Sequence, residues 1–460
     1  MADEINVSAG DVRIEEAYIT SKISGTTDIR NFLMGFDVYH AVDVNSITAN
    51  FYITDATGLI TSIPINGQEF LTVKFKTPNI DTSFYRTFVI HTISNRSLMR
   101  DREQRYTLEC ITAEGYVDTT LRLNQKFKGG TDNLAELIYS NLAETMVLGE
   151  DGTSAGKTPI EIPDRPFSTN NFEFLANYWS PFKCLNFLAS RSRHASTNKT
   201  NVLFFERAAG YYFGSLETLI KKQKDASSIY DEYTKIESQE TPIYDDLRDK
   251  SYKYQSKYLN SRYHTIKSMA YPKYKSLILN NFKGFHATSI FSYDFVTKSL
   301  LTMKYNNSPS ATEAAAEDRK YIEEFFDDFE TIGKYNTIGD DHRAEPLSHR
   351  SFTPMATSLF GSSYSRGVQQ IRNQLIRNFS MAEIDNSAIE ITVPGKTDVD
   401  LGLLVRLVFP KTDDKSSEPD IQDLEDPFVS GLYMITAIRH TVSNGKHDMV
   451  LRLMRDSLGE

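Results

Sequence analysis

The Asn444-Gly445 pair, set between two strand-like runs near the C-terminus, constrains this chain more than any other feature. A two-residue type I′ turn needs positive φ at both central positions, which Asn and Gly tolerate best, so the pair predicts a β-hairpin. On one side lies Gly431-Leu432-Tyr433-Met434-Ile435-Thr436-Ala437-Ile438-Arg439-His440, on the other Met449-Val450-Leu451-Arg452-Leu453-Met454. A turn that fixes the register also fixes which side chains face the core, because they alternate along a strand.

The same order of elements recurs near the N-terminus. Residues 70–78, 84–94 and 105–112 repeat the order of residues 404–410 followed by the two hairpin strands. Each copy has a Gly before its first strand (Gly67, Gly402), a Pro at that strand's end (Pro78, Pro410) and a His in the long strand (His91, His440). This reads as an internal duplication of one β unit, with His91 and His440 in equivalent positions sharing a packing or hydrogen-bonding role. The alternative is two unrelated antiparallel meanders.

The chain has 460 residues, which at about 100 to 200 residues each implies three or four domains. Its 25 Tyr and 28 Phe against one Trp favour sheets and contact surfaces over a helical bundle. A net charge of −10 argues against a general nucleic-acid binder held by phosphate neutralisation, while leaving a local basic face open. Cys110 and Cys184 each sit in an apolar context that suits a buried thiol, so neither a disulfide framework nor a zinc site is expected. The start Met1-Ala2-Asp3-Glu4 lacks a signal peptide's basic and apolar regions, and no run is long enough to span a bilayer. The expectation is a soluble protein made in a cytoplasm.

In chain order, residues 1–115 read as six strands, with a helical turn after Asp55 as its N-cap. Residues 116–225 read as an α+β domain. There Leu134, Leu137, Ile138 and Leu142 share a helical face after Thr131, Ser180-Pro181 opens a second helix carrying Phe182, Leu185 and Leu188, and a hairpin turns at Ala209-Gly210. Residues 226–305 together with 366–460 form the second β unit, with a turn at residues 294–297 and an alternating strand at residues 389–393. Residues 306–365 are an insertion with an amphipathic helix at 311–332 and a Ser- and Asp-rich loop or linker at 333–367. A helix at about 367–376 and a mobile acidic insertion at 413–426 complete the reading. The fold class is α+β, mainly antiparallel β.

Chemical motifs fail on inspection. Gly152-Thr153-Ser154-Ala155-Gly156-Lys157-Thr158 resembles a phosphate-binding loop, but Asp151 stands where its first Gly belongs and Pro159 stands where the helix should begin. The nine histidines show no metal-ligand spacing, no Gly-x-Ser-x-Gly elbow occurs, and neither Cys stands in a catalytic signature. Glu323-Glu324 and Asp327-Asp328 could mimic a glycosidase pair, yet on an amphipathic helix such acids solvate a face. Residues 250–283 interleave Lys253, Lys257, Arg262, Lys267, Lys273 and Lys275 with tyrosines, which is either a single-strand-binding pattern or an inter-subunit contact. No catalytic, cofactor-binding or metal-ligating residue is therefore expected.

Several phrases resemble the baseplate hub protein of contractile-tailed bacteriophages, a family related to the hub half of type VI secretion spike proteins. They are Ile53-Thr54-Asp55 with Pro64-Ile65-Asn66-Gly67-Gln68-Glu69, then Ser292-Tyr293-Asp294-Phe295-Val296-Thr297-Lys298, then Pro394-Gly395 with Gly402 and Phe409-Pro410, and finally Ser430-Gly431-Leu432-Tyr433-Met434-Ile435 with His440. The resemblance implies two tail-tube-type β-barrels per chain separated by α+β domains. It further implies a homotrimeric ring that adapts a hexameric tail tube, or tube-initiator protein, to a trimeric central spike, beside other baseplate proteins. Genomic DNA would only pass through the lumen, and the protein would reside in the virion baseplate after assembly in the host bacterial cytoplasm. Two other classes stay open: a tail-associated cell-wall hydrolase, and a receptor- or glycan-binding baseplate protein.

Overall fold

The computed structural model describes residues 8–22, 25–63, 65, 67, 69–78, 80–100, 103–144, 158–165, 167, 172–194, 200–216, 218–220, 231–234, 263–274, 287–295, 298–306, 330–331, 350–355, 371, 373–374, 377, 381, 387–408, 429–455 and 457–458. The first unit contains β1 (Arg13–Ser21), β2 (Gly25–Asp28), β3 (Leu33–Ala41), β4 (Thr48–Asp55), α1 (Leu59–Ser62), β5 (Phe70–Lys76), β6 (Ser83–Arg100) and β7 (Glu103–Thr112). The strands pair antiparallel in the order β3-β4-β7-β6-β5-β1-β2. Four strand steps separate β3 from β5, about 19 Å in a flat sheet, yet the Phe36 and Phe75 rings lie 5.2 Å apart. The sheet therefore curls around one core that gathers Phe36, Phe51, Phe75, Phe88 and Leu108. Among the described residues the ladder path ends at β2, and none of its pairings closes the curl into a barrel.

The helical turn in this unit starts later than expected. Gly58, at φ 82°, precedes α1 in place of Asp55. The buried Asp55 carboxylate accepts instead from the backbone N–H groups of Thr57, Gly58 and Ile60 at 3.0, 2.8 and 3.2 Å. An aspartate just after a strand satisfies the turn's donors before the helix begins.

The middle segment supplies α2 (Ala113–Thr120), β8 (Leu123–Gly129), α3 (Thr131–Glu144), β9 (Ile160–Glu161), β10 (Phe172–Trp179), α4 (Pro181–Ala189), β11 (Val202–Arg207) and β12 (Gly210–Ser215). In α4, Ser180 accepts from the Lys183 N–H at 3.3 Å with Pro181 at the first position, as the sequence suggests. Leu134, Ile138 and Leu142 of α3 are buried, but Leu137 is 51% exposed. One residue turns a helix by about 100°, so Leu137 falls beyond the edge of the stripe that Ile138 continues. Both cysteines are buried free thiols.

The rest of the chain gives β13 (Asp231–Thr234), β14 (Ser268–Tyr274), β15 (Ala287–Asp294), β16 (Ser299–Asn306), β17 (Glu330–Thr331), β18 (Arg350–Met355), β19 (Ser387–Pro394), β20 (Leu404–Val408), β21 (Gly431–Ser443), β22 (Lys446–Arg455) and β23 (Ser457–Leu458). Strands β14-β19-β22-β21-β20 repeat the antiparallel order β3-β4-β7-β6-β5 of the first unit. The bulges repeat as well: the long strand breaks register between Ile90 and Thr92 in the first copy and between Ile435 and Ala437 in the second. The copies diverge beyond β5 and β20, where β1 is antiparallel to β5 but β13 is parallel to β20.

The bulges correct one equivalence. His91 is the bulged residue of β6, and its counterpart is Thr436 rather than His440. His91 is exposed and His440 is buried, so they share no role. Aligned on the bulges, His440 lies four residues beyond the counterpart of His91, so a shared residue type in a shared strand does not fix the register.

Strands β16-β15-β18 form a separate sheet, and β18 falls in the stretch read as loop. Its pairing is parallel to β15, a tertiary contact that a Ser- and Arg-bearing run without alternation does not announce. The helix read at 311–332 lies outside the described residues except for Glu330–Thr331, which are strand. The loop-like motif at 152–157, the acid pairs at 323–328 and the insertion at 413–426 also lie outside them, as does the helix at about 367–376 apart from residues 371, 373 and 374. No helix among the described residues is long and apolar enough to cross a membrane.

The organising hairpin has the expected turn: Ser443 pairs with Lys446, and Asn444 and Gly445 take φ of 51° and 74°. A Cβ added at Gly445 meets nothing within 4 Å, so the cost of filling it is purely conformational. Gly445→Val should destabilise the protein by about 1–3 kcal/mol. Thermal melting checks this, and a melting point equal to wild type would mean that the turn relaxes to another type.

Candidate functional site

The distinctive geometry of the molecule is the junction between its two β copies. Strand β22 pairs with one edge of β21 from Met434 to Ser443, while the other edge is shared: Gly431 to Met434 pair with β20, and Ala437 to Ser443 pair with β3. The β3–β21 ladder contributes seven antiparallel pairs, from Ala437 opposite Ala41 to Ser443 opposite Gly35. One sheet thus runs through both copies without interruption.

Strand alternation sorts this ladder into two faces. The inner face buries Phe36, Val38 and His40 beside Ile438, His440 and Val442. Across it His40 Nε2 lies 3.2 Å from His440 Nε2, and His440 Nδ1 lies 3.0 Å from His447 Nε2. Phe75 and Phe84 pack against this chain of rings, with centroids 6.0 and 5.8 Å from His440. Gly395 is needed beside it, because a Cβ there would come within 2.0 Å of the His447 ring. Burial, with the Arg86 charge adding to it, pushes the His40 imidazole down to about 3, and burial also holds His440 and His447 well below their usual value. Three neutral imidazoles carry three N–H groups, two of which the two ring–ring hydrogen bonds use.

The outer face is polar and centres on Asp37, 2% exposed in the middle of β3. Its carboxylate accepts from Thr441 Oγ1 at 2.7 Å, Arg439 Nη2 at 3.0 Å, Tyr52 OH at 2.7 Å and Tyr39 OH at 3.2 Å. Burial alone would raise this carboxyl, but the bonds from Arg439, Thr441 and Tyr52 outweigh it and hold the pKa below the usual range. Two of the four donors come from the second copy, so Asp37 ties the copies together.

The β11–β12 hairpin clamps the junction from the side. Glu206, fully buried, accepts from the Ile47 N–H at 2.9 Å and Thr112 Oγ1 at 2.8 Å, and Arg86 Nε stands 3.3 Å away. Burial pushes Glu206 up to about 7 against the pull of Arg86. Arg86 Nη2 also donates to the Arg207 and Ala208 carbonyls at 2.8 and 2.9 Å. On the other side, Asp400 accepts from the Ala208 and Ala209 N–H groups at 3.0 and 3.2 Å.

This arrangement holds surfaces together; it does not array reactive groups. Among the described residues no set of three His, Cys, Asp or Glu side chains is placed to hold a metal ion. Of the basic and aromatic stretch, residues 251–262 and 275–286 lie outside the described residues, Tyr263 is buried, and Lys267 is paired with Asp448. Sequence reasoning missed Asp37, Arg439, Glu206 and the histidine chain. The available signal was a charged Asp37 in an otherwise apolar strand, which needs partners if it is buried.

Two outcomes follow from the junction. Asp37→Ala leaves Thr441 and Tyr52 without their acceptor and should cost about 1–3 kcal/mol. Hydrogen exchange should quicken in β3 and β21 more than in β4 and β7, and uniform quickening would count against a junction role. The histidines set a pH dependence. Between the ordinary 6.5 and about 3, the unfolded chain takes up a proton that folded His40 refuses. Stability is thus full above pH 6.5 and falls as the pH drops, by about 1.4 kcal/mol per pH unit for a group shifted this far. His40→Gln should therefore show a shallower loss of denaturant midpoint between pH 7 and 5; equal slopes would mean that His40 is charged in the fold.

The sequence matches no protein-family model and no curated protein. Solved structures do match over nearly the whole chain. A tail protein from Neisseria meningitidis MC58 has a TM-score of 0.50 at 12% identity, covering 96% of each chain. The 43 kDa tail protein of prophage MuSo2 from Shewanella oneidensis has a TM-score of 0.50 at 10% identity, covering 96% of this chain and 99% of that one. A type VI secretion component from E. coli, described as similar in structure to bacteriophage T4 tail proteins, has a TM-score of 0.37 at 9% identity and covers 97% of this chain and 77% of that one. The fold is that of phage tail proteins, mostly antiparallel β, and its neighbours are of the kind that the sequence resemblance to baseplate hub proteins implies.

Proposed function

We propose that this chain is the structural hub of a contractile phage tail baseplate, a homotrimeric ring that adapts the hexameric tail tube to the trimeric central spike. The observation that carries the reading is the duplication: two copies of one five-strand order, joined edge to edge in a single sheet. Three chains then present six similar β units, each a tail-tube-type barrel in the assembled ring, to a sixfold tube above and a threefold spike below. Closed cyclic symmetry is the usual solution for such head-to-tail contacts. Genomic DNA passes through the lumen, where a chain of net charge −10 gives phosphates little to adhere to. The role is mechanical and not enzymatic, and it is exercised in the virion after assembly in the host cytoplasm.

One observation favours a second reading, a receptor- or glycan-binding baseplate protein. Phe352 of β18 is 78% exposed, and Phe295, in the turn just after β15 of the same small sheet, is 72% exposed. Light scattering of the chain alone and mixed with spike and tube proteins tests the first reading. A trimer in either sample is expected, and a persistent monomer or stable dimer in both would refute the hub. Binding to host cells or surface polysaccharide that Phe352→Ser abolishes would favour the second.

A further inference from the structure

Among the described residues the two copies are not equally paired at their edges. Beyond its bulge, β21 lies against β3. The corresponding stretch of β6 begins at Thr92, and the strand corresponding to β3 is β14. Among the described residues, β6 beyond Ile90 pairs only with β7, and β14 pairs only with β19. The β6 edge exposes apolar side chains beside the single described charge of Arg96, which is engaged by Gln104: Leu98 is 67% exposed and Met99 51%.

We propose that a second copy of this chain docks its β14 antiparallel on the β6 edge, in the register of the internal β3–β21 junction. This rests on the ring reading and names the surfaces that close it. Corresponding pairs give the register. Thr441 stands opposite Asp448 and Ser97 opposite Arg105, each five residues before Leu453 and Cys110, which face the two bulges. Phe36 and Met269 stand opposite Phe51 and Ile391, each two residues beyond the partners of Cys110 and Leu453. The internal pair Thr441 and Asp37 thus becomes Ser97 facing Ala270 of the second copy, and Val442 with Phe36 becomes Leu98 facing Met269.

The external junction is built to be weaker. Ala270 stands where Asp37 anchors the internal ladder, and Ser94 stands where Arg439 reaches that carboxylate, so the polar cluster of the outer face has no counterpart. Irregularities in β6 between Ser94 and Ser97 and between Leu98 and Arg100, and Pro272 within the irregular part of β14, confine the new ladder to a few residues. They also block uncontrolled strand addition. The contact is heterologous, because β6 and β14 are different surfaces. Each added copy leaves one of each free until rotation closes the ring.

Cysteine cross-linking tests the register. Ser97 and Ala270 are exposed, and the native Cys110 and Cys184 are buried. Mild oxidation of the Ser97→Cys, Ala270→Cys double variant should give reducible covalent dimers and trimers on non-reducing gels. An equimolar mixture of the two single variants should give dimers only, and neither single variant alone should cross-link. If light scattering shows a trimer but the double variant forms no such bond, the edge assignment is overturned while the hub reading stands. A chain that remains monomeric and uncross-linked, alone and in assembled tails, overturns both. Leu98→Lys provides a second measure: the trimer dissociation midpoint should rise at least about tenfold in concentration with unchanged thermal melting, and an unmoved midpoint would count against the proposal.

Discussion

Everything distinctive in this structure depends on seven residue pairs between β3 and β21. Without that ladder the chain would be two curled sheets with separate cores. With it, His440 of the second copy packs on Phe75 and Phe84 of the first, and Asp37 of the first is held by donors from the second. Both faces of the ladder carry polar groups that find partners across it. A slip of β3 by one residue would drive Asp37 into the aromatic core and expose His40, so the polar groups select the register that backbone hydrogen bonds alone would leave open.

What was legible in the sequence was local. The Asn444-Gly445 turn, the Ser180-Pro181 helix start and the alternating strand at residues 389–393 each depend on neighbours within a few residues, and each stands where expected. The duplication was legible as an order of elements, although equating His91 with His440 failed, because the matching bulges place His440 four residues beyond the counterpart of His91. The junction was not legible. Residues 37 and 441 are separated by 404 positions, and nothing in the alternation of β3 says which edge will lie beside it. Leu137 and Asp55 show the same limit at smaller scale, since stripe width and the choice between a turn and a cap are settled by what packs alongside.

Duplication within one chain changes what a junction must provide. Two copies joined covalently meet at a high effective concentration, so their ladder needs no surplus affinity to form. The internal junction nevertheless carries the buried carboxylate and the histidine chain, which cost desolvation and supply orientation. That pattern suits a joint whose angle matters more than its strength.

The angle is also set from the side, by the β11–β12 hairpin. Its strands read as almost continuously apolar, Val202-Leu203-Phe204-Phe205 and Tyr211-Tyr212-Phe213, because both faces are buried. Val202, Phe204, Tyr211 and Phe213 enter the middle core, while Leu203, Phe205 and Tyr212 enter the core of the second β copy. Its turn is gripped by Arg86 of the first copy and by Asp400 beside β20 of the second. With only the two-residue β9 added beside β12, so small a sheet is marginal by itself. Buried on both faces and held at its tip by both copies, it acts as a strut that a change in their relative angle would have to break.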